Sequence, residues 1–319
     1  MHTILGAGGP IANQLTKQLA ANALPVRLVS RSQITPEAPS IHWKGADLLD
    51  RKAIIDVTSG SEIIYLTAGL VYDAKVWAAQ WPVIMDNVIA AARTHGSRLI
   101  FFDNVYMYGL LDRPITEESA YHPVSKKGEV RARIADTLMK AVQAGEVNAT
   151  IARAPDFYGA ASKNSFLDGM VIDRIAAGQR PMWIGDKSRL HNFIFVPDAG
   201  RAMYLLGQHP EHDNQIWHLP TPDPITGQAM LDLIGEVFDH KPWAVPIKKW
   251  MLRLLGTFDP TIAGTVEMYY QYDHDYRFDS SKFQAAFRMQ PTSYRAGLEQ
   301  MRDQSAPGDP TVKALPLVG

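Results

Sequence analysis

Short apolar runs alternate with longer stretches of helical periodicity over the first half of the chain. The run at residues 2–5 breaks at Gly6, Gly8 and Gly9. Pro10 follows, suited to a first helical turn because its missing N–H would have no partner there. Ile11, Leu15 and Leu19 then recur at four-residue spacing, a stripe that can lie on a sheet. Further strands are expected at Leu24–Ser30, Ser40–Lys44, Glu62–Thr67, Arg98–Asp103 and Val147–Arg153, with a helix from about Val76 to His95. Strands alternating with helices predict an α/β fold: a Rossmann-type, doubly wound parallel sheet. The chain is expected to leave this lobe after Gly159 and build a smaller, discontinuous substrate lobe from about 160–187 and 222–302. Residues 1–159 and about 188–221 would form the dinucleotide-binding lobe, with Gln215–Leu219 as a late strand. Asp198, where the chain crosses back to the dinucleotide-binding lobe, is expected to cap a helix at Ala199–Leu206, and 303–319 reads as a loose tail.

Composition narrows the classes. The 319 residues carry a formal charge of −1, so no basic excess points to nucleic acid or an anionic membrane. Cysteine is absent, which excludes thiol catalysis, disulfides and cysteine metal sites. The histidines show no metal-ligand spacing, so no metal is expected. No apolar run nears ~18 residues, and the first strand begins at residue 2, so a cytoplasmic protein without a membrane span or signal peptide is expected.

A strand, glycine turn and helix is the unit that holds a pyrophosphate, because glycine lets backbone approach and the helix start presents unpaired N–H groups. Gly6, Gly8, Gly9, Pro10 and Ile11 are therefore candidate cofactor residues. The second strand ends in Ser30, Arg31 and Ser32, with no carboxylate for the ribose hydroxyls of NAD; an arginine flanked by hydroxyls suits the 2′-phosphate of NADP. NADP is preferred and NAD is the less favoured cofactor. Asp47 and Leu48 are placed for adenine, although Asp47 or Asp50 equally suits a helix cap. Thr67, Ala68 and Gly69 stand at a strand's carboxyl end, where ligands of open α/β sheets bind. Asn87 lies between apolar positions on the following helix.

Gly6, Gly9 and Ala12 occupy a Gly-x-x-Gly-x-x-Gly spacing with alanine last. Phe101–Gly109, Arg153–Gly159, Phe193–Ala202 and Phe278–Lys282 follow in order with Pro291–Tyr294 and Gly297–Leu298. On these motifs the chain resembles the extended or atypical branch of the short-chain dehydrogenase/reductases, the NAD(P)-dependent epimerase/dehydratase-like proteins, over nearly its whole length. The resemblance implies contacts to the cofactor from Ala154 and Pro155. It also implies an acid/base Tyr-x-x-x-Lys pair with a nearby serine, and here the chain departs. Lys127 falls at the tyrosine position, Arg131 at the lysine position, and Asn104 at the serine position, or Asp103 if the register slips by one.

Three readings follow. Lys127 donates the proton while Arg131 holds ribose and Asn104 bonds a substrate carbonyl. Alternatively Tyr106 or Tyr108 is the acid. In the third, redox chemistry is lost and the protein is a non-catalytic NADP-binding sensor. A bland alternative is that Lys127 and Arg131 sit on a solvated, charge-rich helix face, although Gly128 inside a helix calls for a reason. The expected activity is NADP-dependent oxidoreduction, epimerisation or dehydration of a small organic carbonyl or alcohol. The expected partner is that small molecule; the sequence leaves a homodimer open.

Overall fold

The computed structural model describes residues 1–159, 165–240, 243–257 and 260–305. Its centre is one parallel sheet of seven strands. We label β1 (His2–Leu5), β2 (Val26–Ser30), β3 (Ile41–Gly45), β4 (Ile63–Leu66), β5 (Arg98–Asp103) and β6 (Ala149–Arg153). The seventh strand, Ile216–His218, lies beyond β6, giving the order seventh strand, β6, β5, β4, β1, β2, β3. The chain therefore winds one way from β1 to β3 and the other way from β4 onward. The two windings part between β1 and β4, where His2 faces Ile63 and Leu5 faces Leu66. A crevice opens at the carboxyl ends of strands at such a switch point. Every residue of β1 and β4 is buried, as expected for strands covered on both faces.

Helices cover both faces. On one, α1 (Pro10–Ala21) buries Ile11, Ala12, Leu15 and Leu19 against the sheet and packs beside the helix Val196–Gln208. On the other lie α2 (Arg51–Val57), α3 (Ala74–His95) and α4 (Lys126–Gln143), which bury Trp77, Trp81, Ile84, Val130, Ile134 and Leu138. Burying each such side chain stabilises the fold by roughly 1.5–3 kcal/mol. Asp73 starts α3 by accepting from Lys75 N at 2.7 Å and Val76 N at 3.0 Å, and left-handed Gly96 ends it.

Outside the large sheet lie three two-stranded pairings: Asp156–Tyr158 with Phe193–Phe195, Leu190–His191 with Ile225–Thr226, and Met182–Ile184 with Val245–Ile247. Two expectations need correction. Asp198 does not cap a helix. The helix already begins at Val196, and Asp198 instead accepts from Thr292 N at 2.6 Å and Thr292 Oγ1 at 3.0 Å. The expected loose tail fails at 303–305, which end the helix Tyr294–Ser305; the rest of that expectation, 306–319, lies outside the described residues. Among the described residues no helix is long and apolar enough to cross a membrane, and no group of histidines and acids is placed to hold a metal ion.

Candidate active site

The glycine turn lies at the switch point. Gly6 and Gly8 have φ of +86° and +95°, the left-handed region that glycine enters without strain. Gly6 is also pressed against the segment that follows β4: a Cβ there would stand 2.4 Å from the Cα of Ala68. Ala68 and Gly6 thus form the floor of the crevice, and Gly69 beside them is exposed with open space around it. Thr67 is tied down, its hydroxyl donating to Leu5 O at 3.2 Å. Gly9 caps α1 and has open space above it. The first amides of α1, including that of Ile11, have no intrahelical acceptor and carry the positive end of the helix dipole. The Ile11 side chain, in contrast, is buried beneath the sheet, so only its backbone is free to meet a ligand.

At the end of β2 the three polar residues divide. Ser30 spends its hydroxyl locally, donating to Ser32 O at 2.6 Å and accepting from Trp43 Nε1 at 3.0 Å. Arg31 and Ser32 are exposed, and the Arg31 guanidinium makes no bond to a described residue. Asp50 caps α2 through Ala53 N at 3.0 Å. Asp47 is exposed and accepts from Leu49 N at 3.0 Å in a tight turn. Leu48 is half-buried, and its carbonyl accepts from Asn87 Nδ2 at 2.9 Å. Asn87 therefore ties α3 to this loop. Ala154 and Pro155, after β6, are buried, with Ala154 N donating to Asp103 O at 3.1 Å.

The region where the acid/base pair was expected is differently built. Neither Lys127 nor Arg131 faces solvent, which removes the solvated-face alternative; the Lys127 side chain is 0% exposed and that of Arg131 7%. Lys127 Nζ donates to Gly264 O at 2.7 Å, pairs with Glu267 Oε1 at 2.6 Å and lies 4.0 Å from the centre of the Tyr72 ring. Burial lowers its pKa, and the Glu267 carboxylate opposes the shift. Arg131 packs over the rings of Trp81 and Trp77, at 4.1 and 4.7 Å, and pairs with Asp103 Oδ1 at 3.1 Å. The other oxygen of Asp103 faces Arg153 at 3.4 Å. Arg153, fully buried, donates to the hydroxyls of Tyr108 at 2.7 Å and Tyr121 at 2.5 Å. Tyr108 in turn donates to His218 Nε2 at 2.7 Å, because His218 Nδ1 must donate to Asp279 O at 2.8 Å. One buried network thus joins β5, β6, the seventh strand and the C-terminal segment.

Gly128 finds its reason here. A Cβ would stand 2.6 Å from Tyr106 O, so the first turn of α4 sits hard against the loop after β5. Ser125 caps that turn through Gly128 N at 3.0 Å. Asn104 serves the loop itself, its Oδ1 accepting from Tyr106 N at 3.1 Å. Tyr106 stacks on Trp77 with ring centres 6.1 Å apart and accepts a hydrogen bond from the Tyr72 hydroxyl at 3.1 Å. Burial raises the pKa of both phenols, so each keeps its proton at neutral pH.

Three groups around these networks escaped the sequence reading. Glu267 comes from the smaller lobe, 140 positions beyond Lys127, with no local pattern to mark it. Asp156 accepts from the Tyr272 hydroxyl at 2.5 Å and lies 3.3 Å from His191 Nε2. Asp156 does fall within the motif at Arg153–Gly159, which was its available signal. Tyr72, after β4, stood just beyond the small residues singled out.

The comparisons agree with this architecture. A search of curated proteins found no match. Among solved structures, UDP-glucose 4-epimerase of Thermus thermophilus in complex with NAD is similar with a TM-score of 0.76 at 16% identity, covering 96% of this chain and 100% of that one. A dTDP-glucose 4,6-dehydratase from Streptomyces venezuelae, with NAD bound, gives 0.75 at 15% identity over 94% and 95% of the two chains. UDP-glucose 4-epimerase of Thermotoga maritima, with UDP-glucose, gives 0.76 at 15% identity over 95% and 98%. At these identities the likeness shows the fold. The model of the NAD-dependent epimerase/dehydratase family matches residues 2–219, more than half of the sequence, and the chain belongs to that family.

Proposed function

We propose that this protein binds NADP(H) across the switch-point crevice and acts on a small organic carbonyl or alcohol, by oxidoreduction or as a hydride step within epimerisation or dehydration. Tyr106 is the proton donor in this reading. The dinucleotide supplies or accepts the hydride. The carrying observation is that the Tyr72–Tyr106 hydroxyl pair stands beside the carboxyl ends of β4 and β5, while Lys127 and Arg131 are both held by acids. A phenol that stays protonated is suited to donate to an alkoxide as it forms. Tyr106 Oη would give its proton to that oxygen, and Tyr72 Oη, already donating to it, would replace the proton. Arg31, exposed and without a partner among the described residues, supports NADP over NAD although the similar solved structures hold NAD.

Tyr106→Phe is expected to lower kcat for NADPH oxidation with a responsive aldehyde or ketone by about 10²–10⁴-fold, with Lys127→Ala losing far less. The reverse order would make Lys127 the acid. Fluorescence titration should show NADPH binding tighter than NADH, and Arg31→Asp should abolish the difference. A second reading rests on the same ion pairs: a protein that binds NADPH but reports its level to a partner without turnover. Saturable NADPH binding with no oxidation across a carbonyl panel selects it.

A further inference from the structure

The formal charge of −1 on the whole chain does not describe its surface everywhere. From Trp243 to Thr257 the sequence holds Lys248, Lys249 and Arg253 and no acid. Most of this stretch is the short helix Lys249–Leu255, with Lys248 as its N-cap residue. One side of the helix is anchored. Leu252 is buried against Ile184, Ile247 and Tyr269, and half-buried Met251 joins them. At about 100° per residue, Trp250, Arg253 and Leu254 fall on the opposite side, with Lys249 at its edge. All four are exposed, Trp250 by 62% and Leu254 by 59%. Trp250 and Leu254 stand four positions apart, so they are neighbours on that face.

The charge around this face has one sign. The helix packed beside it, Pro260–Val266, carries no charged residue. Asp186 and Asp273 act on Tyr269, whose ring lies 5.8 Å from Lys249 Nζ, but both have other partners. Asp186 accepts from Ser188 N at 2.9 Å and faces Arg189 at 3.2 Å, and Asp273 pairs with His274 at 2.6 Å. Glu267 is taken by Lys127. Among the described residues, Lys248, Lys249 and Arg253 have no ion-pair partner.

These features select what covers the face. A second copy docked on it about a two-fold axis would set three cations against three, with no acid between them. A convex face that mixes large apolar side chains with cations matches an anionic bilayer instead. The indole has an apolar body and a polar N–H, which suits the boundary between headgroups and acyl chains. Lysine and arginine beside it reach lipid phosphates and carboxylates while their stems lie on the apolar surface.

We propose that the outward face of the helix Lys249–Leu255 docks this protein on an anionic lipid bilayer. Trp250 and Leu254 enter the interface, and Lys248, Lys249 and Arg253 contact the headgroups. The contact is peripheral and does not depend on the cofactor.

The test sediments the full chain with vesicles of phosphatidylcholine alone, and with vesicles of which about a third is phosphatidylserine. Partition onto the phosphatidylserine vesicles is expected to be at least about 10-fold stronger and to weaken as salt is raised. Trp250→Ala combined with Leu254→Ser is expected to lower it by at least about 10-fold. Lys249→Gln combined with Arg253→Gln should remove most of the lipid preference. These side chains are exposed, so both variants are expected to keep the parent's midpoint in urea unfolding, measured alongside. No binding to the phosphatidylserine vesicles, equal binding to both lipids, or undiminished binding by either folded variant would each overturn the proposal. Self-association that Trp250→Ala removes, with no vesicle binding, would overturn it too and assign the face to a second copy.

Discussion

The glycine turn and the region below the loop after β5 handle polar groups in opposite ways. At the glycine turn, donors are left open: Gly9 has space above it, α1 presents unpaired amides, and the exposed Arg31 has no partner among the described residues. Below the loop after β5, little is open. Asp103, Arg131, Arg153, Tyr108 and His218 satisfy one another, and Lys127 is closed off by Glu267 and Gly264. Open donors wait for a ligand, whereas a closed network holds the fold and resists change. Lys127 and Arg131 belong to the second kind.

The comparison breaks most directly at Asp103. Asp103→Ala would leave two buried guanidinium groups without their carboxylate, and a loss of about 3–5 kcal/mol is expected in urea unfolding. A loss under 1 kcal/mol would show that the network does not hold the lobes together. At the open end, Gly6→Val forces a branched side chain into a left-handed backbone and against Ala68. About 1–3 kcal/mol of strain is expected, with NADPH affinity falling far more than stability. Intact affinity would remove the turn from the site. The smallest effect is a slope. Burial holds the His218 pKa well below its ordinary value, so the folded state keeps it neutral. Below about pH 6.5 the unfolded chain binds a proton there that the folded chain does not. Stability should therefore fall as pH falls, by up to ~1.4 kcal/mol per pH unit, until the folded pKa is reached. His218→Gln should flatten that part of the pH profile; an unchanged slope would assign it to other groups.

Much of the fold was legible because it rests on local pattern. The stripe Ile11, Leu15, Leu19 and the apolar run Ile63–Leu66 of β4 follow patterns that each element can use by itself. The glycine turn was legible for the same reason, since its requirement is a backbone conformation. Gly128 was readable as an anomaly, and only the approach of Tyr106 O explained it. Asp198 was misread because a helix start was inferred from one residue type. Its carboxylate is claimed by Thr292, 94 positions away.

By itself the sequence determined a parallel α/β sheet, a phosphate-binding type of turn, an arginine in place of an acid after β2, and the loss of Tyr-x-x-x-Lys. Each of these is written in neighbouring residues. The tertiary structure decided what the replacements do. Whether Lys127 is a free proton donor or half of an ion pair depends on Glu267, and whether Asp156 stays anionic depends on Tyr272 and His191. Charge state and access are set by burial and by partners far along the chain, and no local spacing encodes them.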